Sequence, residues 1–141
     1  YIQSLYEFSR QLALCFTVRN LIIAIHNYVS TALGQRAVFV AASDDDDVAS
    51  LDGATMPADI RRDALAMIET NEQRTRTSFD GIAQTFWILK SVCSETANHG
   101  VIAVDIGERA HLTIDQDAQR IETVIEEAAL TLSRIDIGRA M

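Results

Sequence analysis

The sequence predicts an α+β fold in which a central antiparallel sheet is flanked by helices from the two ends of the chain. Three observations carry that prediction. Apolar residues recur at helical steps of three and four near both ends of the chain. Short runs rich in β-branched and aromatic residues lie between them. Two of those runs are joined by a brief polar connector, and a hairpin connection makes such a pair antiparallel.

The elements follow in order. Tyr1, Leu5, Phe8, Leu12 and Cys15 alternate steps of four and three, which puts one apolar stripe on a helix spanning Tyr1 to Phe16. Thr17 caps a second helix, because its hydroxyl can accept from the orphan amides of a helix start. Val18, Leu21, Ile22, Ile25, Val29 and Ala32 line one face of that helix, and Gly34 stops it. Arg36 to Ala42 is a short apolar run and reads as a strand buried on both faces. Asp44 to Asp47 then forms a solvated loop, since adjacent carboxylates repel one another. Val48 to Leu51 is a candidate strand before the Asp52-Gly53 turn signal.

Pro57 suits a first helical turn, and Ile60, Ala64, Met67 and Ile68 mark the inner face of a third helix ending near Glu72. The polar stretch Asn71 to Asp80 reads as a loop. Thr85 to Cys93 reads as a strand with Phe86, Ile88 and Val92 on one face and Trp87 and Leu89 on the other. Ser94 to Gly100 connects it to a second strand, Val101 to Ile106. The final segment is the most regular: Ile114, Ala118, Ile121, Ile125, Ala128, Leu132 and Ile135 repeat at steps of four and three. Such a seam suits packing against another helix. Val124 and Leu130 lie off it, Thr113 is placed to cap it, and Asp115 and Asp117 fall in its positive first turn.

Composition narrows the function. The 141 residues are 48% hydrophobic and 23% charged, which is a globular balance for one domain. The net charge of −8 argues against nucleic acid, whose phosphates attract basic surfaces. The longest uncharged stretch, Asn20 to Gln35, is too short and too polar to span a membrane, so no direct membrane insertion is expected. The chain opens on Tyr1 with no charged-then-apolar signal and reads as a piece of a longer protein. Cys15 and Cys93 are either two free thiols, the reading a reducing cytoplasm favours, or one disulfide.

Motifs for chemistry are missing. The glycines at 34, 53, 81, 100, 107 and 138 spell neither GxGxxG nor GxxxxGK[ST]. His26, His99 and His111 form no HxxxH, and there is no CxxC, so no zinc site is expected. His26 reads as a helix histidine and His99 as a loop residue. A calcium loop starting at Asp44 would need Gly and Glu where Ala49 and Thr55 stand. There is no GxSxG elbow. Cys93 would serve redox chemistry only with a resolving partner and a lowered pKa; packing at a strand end is the better account. Phe86 and Trp87 read as core. No catalytic residue, metal or cofactor is expected.

A resemblance adds to this reading. The opening Ser4-Leu5-Tyr6-Glu7-Phe8-Ser9-Arg10-Gln11-Leu12-Ala13 resembles the helix that opens the GAF-type domain of the KdpD family, the potassium-responsive sensor histidine kinases. Gly100-Val101-Ile102-Ala103-Val104 is similar to the GAF "G-V-L-x-V" strand, and Leu130-Thr131-Leu132-Ser133-Arg134 resembles the end of the exit helix. As pattern and element order the resemblance covers the whole chain. It implies that residues 1–141 are a single GAF-like regulatory domain with a central antiparallel sheet of about five strands.

The chain also departs from GAF patterns. Phe86-Trp87 stands where many GAF hairpins begin with proline, and the NKxnFx₃DE signature of cyclic-nucleotide GAF domains is absent. No cysteine sits in a bilin-attachment context, and two distant cysteines do not make the set of GAF-type methionine sulfoxide reductases. The histidines precede Asn27, Gly100 and Leu112 rather than the acidic residue typical after a phospho-accepting histidine, and no glycine-rich ATP lid exists.

The expected function is therefore regulatory and not enzymatic. The resemblance implies a cytoplasmic module of an inner-membrane sensor of potassium or osmotic conditions, with membrane helices before Tyr1 and a histidine kinase core after Met141. The seam Ile114, Ala118, Ile121, Ile125, Ala128, Leu132 and Ile135 is the expected dimer and signalling contact. The alternatives are that the stripe covers the domain's own sheet, or that a small molecule or ion sits between the sheet and segment 44–80, a reading that a closed apolar interior behind Phe39, Phe86 and Trp87 would count against and a cavity with convergent polar groups would favour. A free-standing redox enzyme built on Cys93 is the third reading.

Overall fold

The computed structural model describes residues 2–32, 34–42, 56–94, 98–107 and 114–140. Its elements are α1 (Ile2–Leu12), α2 (Val18–Ala32), β1 (Arg36–Ala41), α3 (Ala58–Thr70), β2 (Arg76–Asp80), β3 (Thr85–Cys93), β4 (Asn98–Gly107) and α4 (Ile114–Ala140). The strands form one antiparallel sheet in the order β1-β4-β3-β2. The register is fixed by pairs such as Phe39 with Ile102, Ile88 with Val104 and Ser78 with Trp87.

Alternation along the strands divides the core into two. Ala37, Phe39, Ile88, Val92, Ile102 and Val104 face α2 and α4, with Phe8 and Leu12 of α1 packed behind. Val38, Val40, Trp87, Leu89, Val101 and Ala103 face α3, where Ile60, Ala64 and Met67 meet them. Helices thus cover both faces of an antiparallel sheet, which is why its central strands read as continuous apolar runs.

The helix ends follow local chemistry. The Thr17 hydroxyl accepts from the Asn20 amide at 3.1 Å, the cap its position predicts. Gly34 sits at φ +66°, past the end of α2. Ala32 is exposed, so the inner face of α2 ends at Val29 and takes in Tyr28 instead. Pro57 is the residue that flanks α3 rather than its first turn; its carbonyl accepts the first helical bond, from Arg61 at 2.9 Å. α3 ends at Thr70 because Asn71 turns left-handed. The amides of Asn71 and Glu72 then donate to Ile68 and Met67, satisfying two orphan carbonyls.

Two expectations are corrected. Arg76 to Asp80 is a strand, not loop: it pairs with β3 and buries Ser78 and Asp80 toward α3 while Thr77 and Phe79 look out. The connector after β3 is shorter than Ser94 to Gly100, since β4 begins at Asn98. Among the described residues the sheet has four strands, and the candidate strand Val48 to Leu51 lies outside them. Asp44–Asp47, expected as a loop, and His111 lie outside them too.

Candidate functional site

α4 is the element that carried the functional expectation, and the structure says where its seam goes. Ile121, Ile125, Ala128, Leu132 and Ile135 are all buried within the protomer, packed with α1, α2 and the sheet. Ala118 is half-buried against the same core, and the side chain of Ile114 lies outside the described residues. Val124 is buried as well, so the inner face is wider than the heptad seam. A helix lying across a sheet and beside two other helices needs that breadth of apolar surface. Ile121, Ile125, Ala128, Leu132 and Ile135 thus pack on the domain's own sheet and helices rather than facing outward.

The exposed side of α4 carries Gln116, Gln119, Arg120, Glu126, Glu127, Leu130 and Arg134, of which Glu127, Leu130 and Arg134 lie toward the N-terminal segment. Ser9 of α1 donates to Glu127 Oε1 at 2.8 Å, and Arg134 donates to the Cys15 carbonyl at 2.5 Å. The Arg134 guanidinium also lies over the Phe16 ring, 5.5 Å from its centroid. Residue numbers rise together at these contacts, so the stretch from Ser9 on α1 to Phe16 at the corner runs along α4 in the same direction. Between the two polar contacts stands Leu130, 79% exposed, with Phe16 73% and Leu14 75% exposed at the corner after α1. On the far side of α4, the Thr75 hydroxyl donates to Glu122 at 2.5 Å and ties the helix to the start of β2.

The α3 face was the other candidate. Its described part is filled by the side chains named above together with Met56. Of the residues named for that interior, Trp87 is buried there, Phe39 points to the opposite face, and Phe86 pairs with Phe79 at 4.9 Å. One end of this face is polar. Arg36, Asp105, Trp87 and Ser78 form a single rung across all four strands. The Arg36 guanidinium lies 5.5 Å from the Trp87 ring centroid, and Trp87 Nε1 donates to Thr85 at 3.1 Å. From α3, Asp63 accepts a short hydrogen bond from Ser78 and meets Arg76 at 3.9 Å.

A cleft of about 410 Å³ separates α1 from α2, with Glu7, Gln11, Asn27 and Thr31 at its rim. Its floor is the Phe8–Tyr28 ring pair, and both rings are buried, so little aromatic surface is left for a ligand. Cys15 and Cys93 are free thiols. Burial pushes the Cys15 thiol up from its ordinary pKa, against a smaller opposing pull from Arg134. That is the opposite of the activation a redox thiol needs. His26 is exposed on α2 and His99 lies in β4. Among the described residues no cluster of three or more His, Cys, Asp or Glu is placed to hold a metal ion. Among them, too, no helix is long and apolar enough to cross a membrane.

Sequence reasoning noted Leu130 as an outlier from the seam but missed its neighbours. Ser9 and Arg134 stood only inside the stretches that carry the resemblance; that they meet Glu127 and the Cys15–Phe16 corner depends on how the N-terminal segment lies against α4.

Among the described residues, an antiparallel sheet carries helices from both chain ends on one face and α3 on the other, which is the arrangement of the GAF fold. Among solved structures, the native GAF domain of the potassium sensor histidine kinase KdpD from Escherichia coli superposes with a TM-score of 0.71 at 17% identity. The match covers 99% of this chain and 98% of that one. No protein-family model matches the chain, and no curated protein does.

Proposed function

We propose that this chain is a regulatory GAF-type module of a KdpD-like sensor histidine kinase, without catalysis of its own. It works on the cytoplasmic side of the inner membrane as the soluble part of a potassium or osmotic sensor, and α4 passes its state to a downstream kinase core. The observation that supports this is the α1–α4 face. Leu130 on α4 is exposed, as are Leu14 and Phe16 at the corner after α1, where Arg134 of α4 meets Cys15 and Phe16. Large apolar side chains grouped on a helical face favour a partner. In this reading the partner is the same face of a second copy, and a change in that bundle biases the kinase between two states.

The test is a domain exchange. With this chain in place of the GAF domain of the Escherichia coli kinase, autophosphorylation should persist, and Leu130→Asp should change it severalfold. Output equal to that of a kinase lacking the domain, with and without Leu130→Asp, would contradict the proposal.

A second reading rests on the polar rung. Arg36, Asp105 and Ser78 share one rung across the sheet, and Asp63 of α3 meets Ser78, which gives one end of the α3 face polar groups for a small molecule or ion held between the sheet and segment 44–80. A thermal-shift screen with potassium, nucleotides and cyclic dinucleotides tests it. A ligand of this site should raise Tm in the parent and not in Arg36→Ala; no response to any of them counts against it.

A further inference from the structure

The geometry points to the outer edge of β2 as a docking site for an extended acidic peptide, which adds to the sheet as a further strand. The inference does not rest on the α1–α4 face and goes beyond the regulatory reading above.

β2 ends the sheet in the order β1-β4-β3-β2, so among the described residues one side of its backbone has no strand beside it. Alternate amides and carbonyls of a strand point to such a side and can pair with an incoming chain. β2 contains no proline and keeps an unbroken register with β3 from Arg76 to Asp80. Arg76, Thr77 and Phe79 are exposed along it. Charged side chains on an edge deter unselective pairing. Here the exposed charge has one sign, so it deters basic strands and favours acidic ones.

The chain as a whole carries a net charge of −8, yet Arg74, Arg76 and Lys90 gather at the head of β2. Lys90 Nζ donates to the Gln73 carbonyl at 2.7 Å, which brings its ammonium to that end. The acidic groups nearby are engaged within the protomer. Glu72 accepts from the Arg74 amide, Asp63 from the Ser78 hydroxyl, and buried Asp80 from the Ile82 amide. Arg76 meets Asp63 only at 3.9 Å and stays 47% exposed, so its guanidinium has donors left for a second carboxylate. Phe79 lies on the opposite face of β2, 43% exposed beside Phe86. An added strand therefore sets a carboxylate beside Arg76 on one face and an apolar side chain beside Phe79 on the other. Those two demands fall on alternate residues, as the pleat of a strand supplies them.

The test is a titration of the isotope-labelled chain with a blocked hexapeptide alternating valine and aspartate, read by amide chemical shifts. Saturable shifts centred on Arg76–Asp80 are expected. Arg74→Gln with Arg76→Gln should weaken binding severalfold, and a peptide alternating valine and lysine should not bind. Two further peptides carry N-methyl groups, one on its valines and one on its aspartates. Only one side of an added strand faces β2, so one of the two should lose binding while the other keeps it. That comparison uses the parent chain and needs no variant to fold. Equal responses to the two methylated peptides would overturn the proposal, because charge alone would then hold the peptide. Absence of saturation, shifts centred elsewhere, or undiminished binding in the double glutamine variant would overturn it as well. A fall in the mass of the chain on adding peptide would assign this edge to a second copy instead. Leu130→Asp should leave peptide binding unchanged, so this result and the α1–α4 contact can fail separately.

Discussion

Gly100 lies so close to Val40 on the neighbouring strand that a Cβ built on it would sit 2.2 Å from the Val40 carbonyl oxygen and 2.6 Å from the Phe39 ring. Its φ of +146° is also one that side-chain-bearing residues rarely adopt. Gly100 opens the Gly-Val strand motif, and the reason for glycine there is the approach of β1. Gly100→Ala should lower stability by about 3 kcal/mol or more, combining backbone strain with an overlap that main-chain atoms cannot relieve. Gly34, at φ +66° with open space around it, should lose only about 1 kcal/mol in the same exchange. Urea unfolding of both variants makes the comparison, and equal losses would contradict it.

Leu132 and Leu130 stand two positions apart on α4 and should behave oppositely. Leu132 is wholly buried in the protomer, whereas Leu130 is mostly exposed. Leu132→Ala should cost about 2–5 kcal/mol by leaving a cavity. Leu130→Ala should stay within about 0.5 kcal/mol in the monomer. Ile125→Asp and Leu132→Asp should unfold the domain, because each places a carboxylate in its own core. Circular dichroism during urea titration distinguishes these outcomes.

Asp63 satisfies a buried hydroxyl. Its carboxylate accepts from Ser78 and faces Arg76, joining α3 to the edge strand β2. Asp63→Ala should destabilise by about 1–3 kcal/mol, most of it from stranding the Ser78 hydroxyl. Asp63→Ala combined with Ser78→Ala should recover part of the loss. A double variant whose loss equals the sum of the two singles would show that they do not interact.

The Cys15 thiol is held above its ordinary pKa by burial, with Arg134 opposing. Folding therefore favours the protonated thiol. That contribution to stability is complete below the unfolded thiol's pKa of about 8.5 and is lost as pH rises through the higher folded value. Above pH 9 the parent should lose more stability than Cys15→Ala does. Alkylation of Cys15 should be slow and its pH profile displaced upward, further still in Arg134→Ala. A profile in Arg134→Ala displaced downward would contradict the assigned cause.

The sequence was most informative where both faces of an element are buried or where a single residue has one job. β3 was legible with its bounds, because Phe86 to Val92 alternate between two apolar layers. Thr17 and Gly34 marked the ends of α2 for local reasons. β2 was hidden because the side chains it buries, Ser78 and Asp80, are polar. Their compensation comes from Asp63 on another element and from the Ile82 amide, which donates to Asp80. The Asp80-Gly81 pair was the one signal of the turn that follows. The α4 seam was legible as a stripe but not as a surface. A helix covering its own sheet and a helix facing a second copy demand nearly the same spacing, so periodicity cannot choose between them. The exposed stripe had no periodicity to find, since only Leu130 on it is apolar.

The outer α1–α4 face as the contact between two copies is the point on which the functional account turns, and sedimentation equilibrium of the purified chain measures it directly. The account predicts a mass near twice 15.6 kDa that falls to 15.6 kDa in a folded Leu130→Asp variant. A parent chain that stays at 15.6 kDa across the concentration range would contradict it.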